Sequence, residues 1–487
     1  MFVYTLDDPY IHLALGENIL KGHYGINLNE FSAPSSTILW PFIIAPFSSY
    51  EYFPFLLNTA LSIVAVYFYF KILLTSFRTN DRAARNILVT SILILLILAT
   101  NMVGLIFTGM EHSLQVLFVS LIAYGLIIEI EKNRVEPWLL IAIVAAPLVR
   151  YENLSVSIAA LCYLALNKYF RNAWIAAGLL LVLVGGFSLF LLTLGLDPLP
   201  ASVIAKSPVV GSAGKLHSIA GNIWHALSYR QGVILLIGTS VLLIYLFYVQ
   251  DIKRKKLALI AILALSLHFM FGRFDWNNRY EIYILTFFLL ITLYLFSSII
   301  TKYLEGEKRN LRLIKIEALF VIIMFLTGFK YIDALFDLPI SSNNIYEQQY
   351  QMHRFAVNYY KKSVAINDLG YVSYKNDNYV LDLFGLASVE AFNDRNTRNN
   401  SEWMQNLTAE KHIGLAMIYE KWFKSIPDEW IKIGELHLGK RQITPAYSEV
   451  SFYATTHRTY SEIVEKLRFF VKTLPADVTF TFKKKNQ

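Results

Sequence analysis

Residues 138–166 read WLLIAIVAAPLVRYENLSVSIAALCYLAL. The fold turns on how this stretch is read. One tilted helix could cover it in a single crossing. That reading flips every later loop and places the basic run DIKRKK, residues 251–256, on the outside. Two short helices that turn at Arg150-Tyr151-Glu152 keep the basic run inside. Charge at mid-span is costly, and Pro147 helps to break a helix. The sequence is therefore read as a hairpin.

Composition sets the frame for this choice. The chain has 487 residues, 55% of them hydrophobic and 15% aromatic. Charged residues make up 16%, below the roughly 25% of a soluble domain. Apolar runs near the length of a bilayer crossing recur, which predicts a polytopic α-helical membrane protein. The net charge is +8. In a soluble protein that excess would raise nucleic acid as a partner; here most of it sits in short loops between spans, so no nucleic-acid partner is expected. The lone cysteine, Cys162, lies in an apolar segment and permits no intramolecular disulfide.

Ten crossings are predicted, near 53–75, 86–107, 113–130, 138–149, 153–166, 173–195, 231–250, 257–272, 282–301 and 313–330. A further helix before Met1 would make eleven, since MFVYTL is too short to cross. The loops then alternate. One set carries fifteen Lys/Arg, in the stretches 78–85, 132–134, 168–171, 253–256 and 302–312. The other set, 108–112, 150–152, 196–230 and 273–281, carries six although it includes the longest loop. Positive charge marks the cytoplasmic side. The second set, the N-terminal stretch and the C-terminal region are then expected outside.

Composition changes near 331. Residues 1–330 read as the membrane domain. Residues 331–487 contain no crossing and mix β-like runs (SVAIND, YVLDLFG, IGLAMIYE, VSFYATT, DVTFTFK) with helix-like stretches at 344–361 and 459–473. They predict an exported soluble α/β domain.

The N-terminal stretch LDDPYIHLALGENILKG carries adjacent aspartates, Asp7 and Asp8, before Pro9. Proline suits a first helical turn, which makes Asp8 the expected N-cap. The helix places Ile11, Leu15 and Ile19 on one face and is expected to lie in the membrane interface. Both aspartates as mere caps is the plain reading. One carboxylate suffices for a cap, however, so Asp7 is read as a general base or half of a metal site.

Other polar clusters share that outer side: TGMEH with Glu111, VRYEN with Arg150 and Glu152, LDPLPASVIAKSP with Asp197 and Lys206, and GRFDWNNRYE with Arg273, Asp275, Trp276, Arg279, Tyr280 and Glu281. Singly, each reads as a satisfied loop charge. Together they supply what a sugar phosphate needs. Arg and Lys suit phosphate, and Trp276 and Tyr280 offer flat faces for a sugar.

On these stretches, with SAPSSTILWP and INDLGYVSY…VLDLFGL, the chain resembles the bacterial GT-C glycosyltransferases, membrane enzymes that use polyprenyl-phosphate sugars. The mycobacterial arabinofuranosyltransferase-like branch is the most similar in look. The resemblance covers most of the chain and rests on the spaced set rather than on any one motif. It implies a multi-pass protein of the bacterial inner membrane, with active site and C-terminal domain on the periplasmic or extracellular face. It implies Asp7 and Asp8 as the catalytic centre and inverting transfer to an envelope glycan or lipid acceptor. Arg150, Lys206, Arg273 and Arg279 are the candidates for the donor phosphate. Glu111, Glu152, Asp275, Trp276 and Tyr280 are the candidates for sugar and acceptor. A divalent cation could bridge an aspartate and the phosphate, although no metal-ligand spacing demands one. The rivals are a transporter and a non-catalytic envelope scaffold. The spans 86–107, 173–195 and 231–250 contain no charged residue, which argues against transport.

Overall fold

Pro137–Val149 and Leu154–Leu166 are separate helices. Between them Arg150 is extended, with φ −153° and ψ 134°, and Tyr151–Asn153 form a single 3₁₀ turn. Pro147 sits inside the first helix, so the break falls at Arg150 rather than at the proline. The structure, a computed structural model, describes residues 2–78, 81–206, 215–275, 277–304 and 311–483, with backbone alone for 206, 215–217, 298–304 and 311–325.

From the N-terminus the helices are α1 (Asp8–Ile19), α2 (Leu39–Ile44), α3 (Phe53–Ser76), α4 (Arg82–Ala99), α5 (Met102–Phe107), α6 (His112–Lys132), α7 (Pro137–Val149), α8 (Leu154–Leu166), α9 (Phe170–Thr193), α10 (Ala201–Lys206), α11 (Lys215–Leu227), α12 (Arg230–Tyr248), α13 (Ile252–Phe271), α14 (Ile282–Leu304) and α15 (Leu311–Glu347). Among the described residues, five of them, α3, α4, α6, α9 and α12, are long and apolar enough to cross a membrane. Their outer faces fit lipid. α9 alone exposes Trp174, Leu181, Val182 and Leu189, a continuous apolar surface that water would not tolerate. α6, in contrast, is buried along most of its length and is the centre of the bundle.

Ten crossings were expected; α7, α8, α13 and α14 are not among these five, and two of the expected stretches take another form. The stretch 86–107 is broken at Asn101, which adopts the left-handed φ of 47°, so α4 and α5 are separate helices. The stretch 313–330 belongs to α15, which runs unbroken through 331 to Glu347. The expected domain boundary is thus continuous helix.

Helix ends sort the loops into two groups. Arg78 after α3 bonds Glu131 of α6 at 2.6 Å. Lys253 of α13 bonds Glu129 and Asn133 at 2.7 and 2.8 Å, and Lys256 reaches Leu166 and Asn167 after α8. The opposite ends of the same helices bring together Glu111, Arg150 and the segment 273–281. Among the described residues, the basic loops after α3, α6 and α8 and before α13 therefore gather at one end of the bundle, and Glu111, Arg150 and Arg279 at the other.

The C-terminal region folds on a six-stranded mixed sheet of order β2-β1-β3-β5-β4-β6. The strands are β1 (Val364–Ile366), β2 (Val380–Asp382), β3 (Leu415–Ile418), β4 (Ile431–His437), β5 (Glu449–Ala454) and β6 (Thr479–Phe482). β1 pairs in parallel with β2 and β3, and the remaining pairs are antiparallel. Alternation is strict in the middle of the sheet, as the two-residue period requires. Val364, Ile366, Leu415 and Met417 join the main core, while Ala365, Ala416 and Ile418 face a second core with Trp403 and Leu407. The runs SVAIND, YVLDLFG, IGLAMIYE, VSFYATT and DVTFTFK all contain strands. The strand IKIGELH was not among them; its register shifts between Lys432 and Gly434, which breaks the alternation a strand is read by.

The sheet domain sits directly on the N-terminal segment. Asn27 pairs with the backbone of Val380 as a strand residue would, donating to its carbonyl at 3.0 Å and accepting from its amide at 2.9 Å. Tyr379 bonds Glu30, Tyr374 bonds the Ser48 carbonyl, and Tyr371 and Tyr10 share Glu51. The Tyr10 and Tyr371 rings lie 3.8 Å apart, centroid to centroid. This packing buries nearly all of α1. The expectation of an amphipathic interfacial helix is corrected: α1 is covered by protein on both faces.

Candidate functional site

The two aspartates diverge at the start of α1. Asp8 is its first helical residue, and Asp7, at the cap position, makes no side-chain cap bond. The expected capping role of Asp8 is therefore not what the structure contains. Asp7 points into the sheet domain. Its carboxylate accepts the amide N–H of Gly370 at 2.6 Å and of Tyr371 at 2.7 Å, so it caps a different helix, α16 (Gly370–Ser373), which follows β1. A Cβ at Gly370 would overlap Asp7, so this approach needs glycine. Asp7 is 8% exposed. Burial and the neighbouring Asp368 push its carboxyl well above the usual range, while the two amides pull the other way.

Asp8 takes the other direction. It accepts Arg279 Nη2 at 2.5 Å, and 27% of its side chain is open to solvent while Arg279 is almost wholly buried. Asp368 completes a triangle of acids. It lies in the loop between β1 and α16, hydrogen-bonded to Gln349 at 2.7 Å and Tyr419 at 3.2 Å. Burial, reinforced by Asp8, pushes its carboxyl up to about 6. Asp368 was absent from the candidate set, although it stands in the quoted stretch INDLGYVSY. Position along the chain gave no sign that it would meet Asp7 and Asp8.

Beside this triangle lies a second network. Arg150 donates to Glu111 at 2.5 Å and to both oxygens of Glu152 at 2.8 and 3.2 Å. His12, one helical turn after Asp8, reaches Glu111 at 3.7 Å. Burial opposes ionisation of Glu152, yet the Arg150 guanidinium prevails and holds its carboxyl below the usual range. Tyr280 joins the two networks. Its ring lies under both guanidiniums, 4.9 Å from Arg150 and 5.3 Å from Arg279. Tyr280 is thus a spacer between cations, and it also forms part of a cavity wall. Arg150, with three carboxylate bonds, is an internal brace.

A cavity of about 420 Å³ opens beside these groups. Its lining combines Arg150, Glu152, Arg273, His268 and Tyr280 with the apolar Leu154, Ile158, Leu199, Val203, Leu267 and Phe271. Arg273 is half-buried in the wall. Nε and Nη1 of Arg279 are buried without a hydrogen-bond partner. Among the described residues near the cavity, Arg273 in the wall and Arg279 behind Tyr280 have donors to offer an anion.

The remaining candidates fall elsewhere. Asp275 pairs with Lys330 of α15 at 3.1 Å, in a group with Glu281 and Tyr331. Asp197 is exposed. Lys206 ends α10, its side chain outside the described residues; Trp276 also lies outside them. Among the described residues, no group of three or more His, Cys, Asp or Glu is placed to hold a metal ion. Asp7 is engaged by two amides and Asp8 by a guanidinium, a poor match for a bridging cation, and no step below uses one.

A domain of unknown function (DUF8728) matches residues 343–453, the part that contains Asp368, Gly370 and Tyr371. No curated protein and no solved structure matches the chain.

Proposed function

We propose that the protein is an integral-membrane glycosyltransferase. It would move a sugar from a polyprenyl-phosphate carrier to an envelope glycan or lipid acceptor at the outer face of the bacterial inner membrane. The observation that carries this reading is a cavity lined by apolar side chains together with Arg150 and Arg273, to which the partly solvent-open carboxylate of Asp8 is linked through Arg279 and the cavity residue Tyr280. An isoprenoid chain suits the apolar wall of Leu154, Ile158, Leu267 and Phe271. Its phosphate suits Arg273 in the cavity wall, with Arg279, whose buried Nε and Nη1 have no hydrogen-bond partner, behind Tyr280.

The reaction then follows from the residues. Asp8, the more exposed aspartate, takes the proton from an acceptor hydroxyl. The acceptor oxygen forms a bond to the anomeric carbon. The bond from that carbon to the phosphate oxygen breaks, and the polyprenyl phosphate leaves with the electron pair. Arg273 and Arg279 offset the charge that develops on it. Attack opposite the leaving group inverts the anomeric centre. Asp7, assigned as base by sequence alone, holds the sheet domain instead, since both its oxygens are engaged.

The test is transfer of radiolabelled sugar from short-chain polyprenyl-phosphate donors by the purified protein in lipid nanodiscs. Donor-dependent labelling of an envelope acceptor supports the reading. No transfer with any donor, from protein that is folded by thermal melting, rejects it.

A further inference from the structure

A second opening, about 810 Å³, lies at the far end of α1 from Asp8. Its walls come from both parts of the molecule: the end of α1, the loop after it, Ser48–Ser49, and the sheet-domain loop 373–379. Glu17 in this groove follows Asp8 by nine positions along α1, about 13 Å along the helix axis. The groove is therefore distinct from the acidic cluster.

Its chemistry differs from that of the apolar cavity. Glu17 and Asp377 balance Lys21 and Lys375, so the walls carry no net charge. This disfavours a phosphate, a nucleic acid or a free cation as occupant. The other polar groups of the wall are amides and hydroxyls, among them Asn29, Ser49, Asn378 and Tyr379. Such groups both donate and accept, as sugar hydroxyls do.

The groove is also preformed. Asn27 in its wall is tied to the sheet domain by two hydrogen bonds with the Val380 backbone. The Lys375 amide bonds Glu17 at 3.3 Å, and Tyr374 bonds the Ser48 carbonyl at 2.8 Å. Lys375 is held in the left-handed region at φ 50°. Fixed walls lower the ordering cost of binding.

We propose that this groove binds an uncharged glycan chain, the non-reacting part of the acceptor. The proposal rests on the transferase reading for its role, but its test does not. At that distance from Asp8, the groove serves acceptors of several sugars and leaves a monosaccharide unheld.

The experiment is a binding assay without donor. Full-length protein in nanodiscs is applied to an array of bacterial-envelope oligosaccharides, neutral and acidic, from one sugar upward. Wild type should retain neutral chains of several sugars. Asn29→Trp and Ser49→Trp, both at exposed positions in the wall, should each lower retention about tenfold or more while melting like wild type. Lys255→Ala, at an exposed position in the basic loop group, should retain glycans fully, and a loss there as large as with the tryptophans overturns the assignment. No retention of any member overturns the proposal, as does retention insensitive to both tryptophans or a preference for acidic chains. Retention without transfer to any retained glycan rejects the transferase reading and leaves the groove assignment standing.

Discussion

Asp7 caps the helix that begins at Gly370, across 363 residues of sequence. The bond fixes the sheet domain to the N-terminal segment beside Asp8. Removing it should loosen that docking. Asp7→Ala leaves two buried amides without an acceptor, a cost of about 2 kcal/mol. Asp7→Asn keeps one carbonyl acceptor and should cost less. Hydrogen exchange at residues 369–374 should accelerate in the order wild type, Asn, Ala. Equal protection in all three would show that the cap is incidental.

Asp8 and Arg273 carry the chemistry in the proposed reaction. Asp8→Asn removes the counter-charge of the buried Arg279 but keeps a carbonyl acceptor for it; protein that still melts cooperatively should lose transfer by roughly 10²–10⁴-fold, the usual scale of general-base catalysis. Arg273→Ala should raise the KM for donor with little change for acceptor. Lys21→Ala, at the other end of α1, should leave donor KM unchanged. If Asp8→Asn transfers like wild type while a folded Asp7→Asn does not, the base has been assigned to the wrong aspartate.

Arg150 is predicted to act on stability. Glu111 is fully buried against it. Arg150→Met strands that carboxylate, and breaking a buried pair from one side costs about 3–5 kcal/mol. The double variant Arg150→Met/Glu111→Gln should regain much of the loss. Melting temperature in detergent measures both, and a double variant no better than the single one would contradict the pairing.

Asp368 makes stability depend on pH. Its folded carboxyl titrates near 6, against about 3.9 in an unfolded chain. A group raised on folding binds its proton more tightly in the folded state. Its contribution is therefore complete below about pH 4 and declines as pH rises through 6. The loss by pH 7 is on the order of 2 kcal/mol. Asp368→Asn lacks this titration, so its melting temperature relative to wild type should rise between pH 4 and 7. A difference constant with pH would place the titration elsewhere.

Sidedness follows from the opposed loop groups. In a Cys162→Ala background, Asn399→Cys should react with an impermeant maleimide on intact cells. Lys255→Cys, within the basic group, should react only after lysis. The reverse pattern would invert the protein in the membrane, and labelling of both before lysis would break the alternation of loops.

The sequence by itself determined what depends on neighbours along the chain. Apolar runs marked the membrane helices, and the charge at Arg150 marked the break between α7 and α8, because the cost of charge in a bilayer is local. Five of six strands were legible from alternation; β4 escaped where its register shifts between Lys432 and Gly434. Tertiary structure alone decided the partners of the aspartates. A local rule made Asp8 the cap because it weighs only the following amides. Asp8 instead meets Arg279, 271 residues away, and Asp7 meets Gly370. A carboxylate takes whichever donors packing brings within reach, and here those donors belong to α14's approach and to the sheet domain. For the same reason Asp368 entered the site unannounced: β1 delivers it there, and nothing within its own stretch of sequence says where β1 will dock.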